Sequence, residues 1–256
     1  MAIRNIVLER LEELDLSKIR LPLGKGPSEA HVPILVSSNI KTASRVIVLF
    51  TDHMSDLGVF AYRIAGGPKG INAGSAVDLV KYLQTQNSSP SDPSPPGIII
   101  GNPGQLRWWR RGKKAVNQFT WFALPRKSAV DEAPRFDPIK NTVEGNRDST
   151  EHVAYVLGKV VDEFVNKDTK IDIIGVGDSC HQVVQFFNKG ENWAKYGHRL
   201  NAFAMMAPFF CVEDVVNEDL AKFMKKVFLP SSLSPLVPDS CSPDSPDLNF
   251  SQTHSK

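Results

Sequence analysis

Residues Arg45 to Phe50 read RVIVLF, a β-branched run with no polar residue after the first. A strand with one wet face alternates apolar and polar residues. A strand buried on both faces does not, and such strands belong to parallel sheets covered by helices. GIIIGNP (Gly97 to Pro103), IDIIGVG (Ile171 to Gly177) and LNAFAMMAPFF (Leu200 to Phe210) carry the same near-continuous apolar pattern. Before the third of these four runs, Asp148 to Asn166 places Val153, Val156, Leu157, Val160, Val161 and Phe164 on one stripe of a helix. Asp148 and Glu151 stand at the spacing of a capping box. Strands of this type alternating with helices predict an α/β fold, a three-layer sandwich with a mostly parallel sheet. Right-handed crossovers then put helices on both faces.

The remaining segments fill in around that frame. Ile3, Ile6, Val7, Leu11 and Leu14 predict a short amphipathic N-terminal helix. HVPILVSS (His31 to Ser38) is an extended piece that Pro33 confines to an edge or a strand start. GGPKGINAGS (Gly66 to Ser75) is turn-rich, and AVDLVKYLQTQ (Ala76 to Gln86) has helical spacing. NSSPSDPSPPG (Asn87 to Gly97) holds four prolines and four serines in eleven residues and reads as a surface loop. A long polar loop spans 126–147. Val216, Leu220, Phe223 and Val227 mark a last amphipathic helix, and the Pro/Ser-rich stretch 230–256 reads as a disordered tail. One domain over 1–229 is the expectation.

Charge and cysteine content narrow the function classes. The chain has 256 residues with a formal net charge of +2, so bulk electrostatics favour neither nucleic acid nor a membrane surface. Cys180, Cys211 and Cys241 form no C-x-x-C pair, which argues against a disulfide framework or a zinc knuckle. No metal or cofactor is expected. The N-terminal segment interleaves charges with its apolar residues, and no run approaches the ~18 apolar residues of a membrane span. A soluble, intracellular protein is expected.

Lys170 to Phe187, KIDIIGVGDSCHQVVQFF, runs from a strand through a Gly-x-Ser turn into a helix. That is how a hydrolase displays a serine nucleophile, strained and exposed above the sheet. Ser179 is therefore the candidate nucleophile, with the backbone N–H of Cys180 as an oxyanion donor. Gly177 suits the position two before it, but His181 crowds the position two after. The base is also missing, since His181 belongs to the turn, His198 precedes the last strand and His254 lies in the tail. A serine capping its own helix is the bland alternative. Two other motif readings fail: Gly177–Ser179 lacks the later Asp-x-x-His of Gly-Asp-Ser-Leu lipases, and Gly175–Gly177 lacks the third glycine of a dinucleotide fingerprint. Cys180, at a helix start, is a candidate low-pKa thiol or else a packed core residue. His53, in TDHM after the first buried strand, sits where a hydrolase builds half its oxyanion hole.

QLRWWRRGKK (Gln105 to Lys114) concentrates five basic residues and two tryptophans. Arg107, Arg110 and Arg111 could neutralise phosphates while Trp108 and Trp109 stack on unpaired RNA bases. A docking surface for a protein partner and a solvated loop with its tryptophans turned inward are the competing readings.

Taken in order, ILVSSNI (Ile34 to Ile40), RVIVLFTDH, IIIGNP, EHVAYV (Glu151 to Val156), the Ser179 turn and LNAFAMMAP resemble the Argonaute-binding-protein-two domain family, over 34–210. The family also occurs at the C-terminus of fungal class II histone deacetylases. Its turns usually read small-His-Ser-Tyr-Gly-Gly, whereas Gly177-Asp178-Ser179-Cys180-His181-Gln182 keeps only the small residue and the serine. Met54 also replaces the glycine expected after His53. The resemblance implies an α/β-hydrolase-like fold, C-terminally truncated. It further implies a catalytically inactive subunit in small-RNA silencing or heterochromatin, with Argonaute or a deacetylase complex as partner and a nuclear location. An esterase with an unusual triad is the alternative.

Overall fold

The computed structural model describes residues 2–126, 128, 130, 132, 134–208 and 212–227. Eight strands are present among them: β1 (Leu16–Leu21), β2 (Val32–Ser37), β3 (Arg45–Phe50), β4 (Gly97–Gly101), β5 (Arg107–Trp109), β6 (Lys114–Val116), β7 (Lys170–Val176) and β8 (Leu200–Met206). Six of them form one sheet in the order β1-β2-β4-β3-β7-β8. The β4, β3, β7 and β8 strands are mutually parallel, and β2 and β1 extend the sheet antiparallel. The three runs read from the sequence as buried strands and the fourth apolar run form this parallel block; the fourth, β8, lies at the sheet edge and buries only Leu200 and Phe203.

The reason is visible in β3. Val46, Val48 and Phe50 point to one face, where the helical stretch Ser149–Phe164 and the helix Ser179–Asn188 cover them. Leu49 points to the other, under the helices Ala2–Glu13 and Ala76–Gln84. Each such side chain contributes about 1.5–3 kcal/mol on burial. Helices on both faces complete the three-layer α/β sandwich.

The stretch predicted as one helix begins at Ser149, capped by Asp148, whose carboxylate accepts from the Glu151 N–H at 2.8 Å. It runs through a π-helical turn at Val156–Val160 before ending at Phe164. The last helix, Glu218–Val227, buries Leu220 and Met224 against the same face. Pro33 is the second residue of β2, opposite Arg20, before the register with β4 starts at Leu35. The β1 strand, the β5–β6 hairpin and the short helices Gln118–Phe122 and Gly190–Tyr196 depart from the expectations. The β1 strand was not anticipated, because Lys18 and Arg20 break its apolar pattern. The basic-aromatic segment is an antiparallel hairpin, β5 with β6, rather than a loop. The fourth apolar run is a strand only to Met206, and its end at Phe209–Phe210, like the tail 230–256, lies outside the described residues.

Candidate functional site

Parallel strands deliver their following loops to one edge, where α/β proteins build their sites. Here the β3 loop supplies Thr51, Asp52 and His53, and the β7 loop supplies Gly177, Asp178 and Ser179. The sharp turn falls at Gly177, whose φ is +61° and whose N–H donates to the Met206 carbonyl at 2.8 Å. Ser179 does not carry the strained conformation expected of it, because it is already the first residue of the helix Ser179–Asn188. It is also fully buried, and its hydroxyl donates to the Thr51 carbonyl at 2.6 Å. The Asp178 side chain does not cap the helix, and the hydroxyl of Ser179 ties the helix start to the end of β3 instead.

A turn centred on Gly177 places Gly175 two residues before and Ser179 two after. That is the small-x-turn-x-small pattern a strand-to-helix elbow needs, read two residues earlier than the Gly-x-Ser letters suggest. Close approach enforces it at Gly175, where a Cβ would lie 3.0 Å from the Cys180 sulfur. At Gly177 a Cβ would lie 2.3 Å from Asp52 Oδ2. The space a nucleophile's side chain would need is therefore filled by a carboxylate.

Asp52 is held by the Met54 N–H at 2.8 Å, and Asp178 by Gln182 Nε2 at 2.7 Å. His53 Nδ1 lies 3.7 Å from a carboxylate oxygen of each. This is ion-pair range once the ring is protonated, and beyond hydrogen-bond length. Thr51 Oγ1 and Gln182 Oε1 are buried without a hydrogen-bond partner among the described residues. Burial pushes the Cys180 thiol up to about 11, away from the reactive thiolate its place at the helix start suggested.

A buried polar network, missed in the sequence, braces the same edge. His152 is completely buried; its Nε2 accepts from the Asn102 N–H at 2.8 Å, and its Nδ1 meets Asn146 Oδ1 at 2.7 Å. The amide donor fixes the tautomer with its proton on Nδ1. Burial pushes the imidazole down to about 3, so it stays neutral. EHVAYV and IIIGNP are thus two halves of one lock. Gln105 links Asn102 to Asp56, which also accepts from Asn117 Nδ2 at 2.9 Å and from the Tyr62 hydroxyl. Burial and this carboxylate raise the Tyr62 phenol above its ordinary range.

The second candidate set lies on the β5–β6 hairpin. Trp108 is buried against Val32, Ala115 and Val143, with the His31 ring at 5.1 Å. Trp109 is half-buried, with Gly112 against its ring and the Lys114 ammonium 5.3 Å from its centroid. The Arg107 guanidinium lies 4.8 Å from the Phe136 ring and 5.5 Å from that of Phe122. Arg110 and Arg111 are exposed in the turn. The structure brings Asp52, His53 and Asp178 to the Ser179 turn.

Among the described residues no group of three His, Cys, Asp or Glu side chains is placed to hold a metal ion. Among them, too, no helix is long and apolar enough to cross a membrane. A family model described as the Arb2 domain matches residues 1–228. No curated protein matches the chain.

Proposed function

The chain belongs to the Arb2 domain family, and from that premise we propose that it acts by binding other proteins and not by hydrolysis. The observation that carries this is the Ser179 hydroxyl, sealed from solvent with its proton directed at the Thr51 carbonyl. A nucleophile needs a base within reach of that proton, and a carbonyl cannot take it. Gly177, at the apex of the turn, offers no side chain to replace it. His53 and Asp52 come near the turn, yet Asp52 occupies the volume an attacking group would use. In this reading the hydrolase-like architecture is a rigid frame, and the partner is an Argonaute or a histone-deacetylase assembly, as the family relation suggests.

A fluorophosphonate probe on the folded chain tests it. No adduct at Ser179 is the expected result. Labelling that disappears in Ser179→Ala, together with turnover of a simple aryl ester lost in the same variant, would restore the esterase alternative.

A further inference from the structure

We propose that the groove beside the β5–β6 hairpin binds an acidic peptide segment of a partner protein, with Arg110 and Arg111 as its carboxylate clamps; this rests on the interaction reading above and names the partner's chemistry. The groove is about 1190 Å³, and Trp109, Trp121, Leu124 and Pro125 form its apolar part. Among the described residues, the charged side chains that line it are Arg110, Arg111, Arg126, Arg135 and Glu132. Glu132 is itself taken by Arg135 at 2.9 Å.

Arg110 and Arg111 differ from the ion-paired arginines of the chain. Arg4, Arg45 and Arg147 each face a carboxylate within the chain. The guanidiniums of Arg110 and Arg111 have no ion pair and no hydrogen bond among the described residues, and both are exposed. Lys113 and Lys114 follow them in sequence. In a chain whose formal net charge is only +2, this is a local concentration of positive charge. A guanidinium fork matches a carboxylate in two parallel hydrogen bonds.

The support is rigid, which lowers the cost of ordering on binding. The Trp108 N–H donates to the Asn141 carbonyl at 2.9 Å, and Asn141 Nδ2 returns a bond to the Trp108 carbonyl at 3.0 Å. The hairpin carrying both arginines is therefore tied to the loop before the Ser149 helix.

An acidic peptide fits better than single-stranded RNA because the stacking surfaces are taken. Trp108 is only 5% exposed and Trp121 only 3%. A Cβ on Gly112 would come within 1.9 Å of the Trp109 ring, so backbone already lies against that indole. Half-buried Trp109 and exposed Pro125 leave the groove a small apolar contact beside its guanidinium groups, which suits a leucine or phenylalanine flanked by aspartate or glutamate.

The test is fluorescence anisotropy on the full chain with a labelled synthetic peptide, Asp- and Glu-rich around a central Leu-Phe pair. Saturable binding is expected, weakened about tenfold in the double variant Arg110→Ala/Arg111→Ala and by raising salt from about 50 to about 500 mM. The charge-reversed variant Arg110→Glu/Arg111→Glu should instead take the peptide with lysine in place of its acids, while its melting curve shows the fold intact. Absence of saturable binding, or equal binding by wild type and the alanine variant, overturns the assignment. So does a short oligouridine that binds more tightly than the peptide through the same arginines. If the peptide fails while Ser179 stays unlabelled, the groove assignment falls and the interaction reading stands. Labelling of Ser179 removes that reading and leaves peptide binding to be scored on its own.

Discussion

Replacing His152 with leucine separates a structural lock from an incidental buried histidine. The imidazole is wholly buried between the Asn102 N–H and Asn146 Oδ1, and both of those residues are also fully buried. Leucine leaves a donor and an acceptor without partners, at about 1–3 kcal/mol each. The apolar surface that leucine buries beyond the imidazole it replaces returns about 1 kcal/mol, roughly one buried methylene. A net loss of about 3 kcal/mol is expected at about pH 7.5, where the ring is neutral in both states.

The pH dependence gives a second readout. The folded-state value is depressed from 6.5 to about 3, so between these limits only the unfolded chain takes the proton. The stabilisation from a neutral His152 is complete above pH 6.5 and declines as the pH falls towards 3. At about pH 5 the wild type has lost about 2 kcal/mol through this one group. The leucine variant has no such loss, so its deficit should shrink from about 3 to about 1 kcal/mol. Urea unfolding of both proteins at the two pH values measures this. A deficit that is the same at both, or absent at the higher pH, refutes the reasoning.

Two further substitutions probe the edge of the sheet. Gly177→Ala puts a Cβ 2.3 Å from Asp52 Oδ2 at a φ of +61°; a loss of about 2 kcal/mol or more is expected, lowering the melting temperature by about 6 °C. Asp52→Ala/Gly177→Ala should lose less than the sum of the single variants, since the contact is removed; strict additivity would show that the carboxylate does not fill that space. Asp56→Ala orphans the buried amide donors of Gln105 and Asn117 and should cost about 3–5 kcal/mol in urea unfolding. Asp56→Asn keeps one acceptor and should cost clearly less, so equal losses would argue against the network.

The parallel strands and the Ser149 helix were readable because burial on both faces and a helical stripe both leave a periodic mark. The β1 strand was hidden by Lys18 and Arg20, which an edge strand tolerates because only one neighbour covers it. The β5 and β6 strands have three residues each, too few for any period to register. The Ser179 turn was seen, but its register was misread by two residues. The letters Gly-Asp-Ser draw the eye to the serine, while the backbone bends at the glycine. The motif His152-Val153 was recognised as a family mark, yet its partner Asn102 stands fifty residues away in sequence.

What the chain's own letters determined is the layered frame and the presence of a sharp strand-to-helix turn, because apolar periodicity and glycine placement are local properties. What only the tertiary structure decided is the chemistry: a serine turned onto a backbone carbonyl, an aspartate from a neighbouring strand filling the space beside a glycine, and two exposed arginines without counter-charges among the described residues. Those outcomes depend on which distant groups arrive within a few ångströms of one another. Long-range packing sets that, and no run of neighbouring residues encodes it.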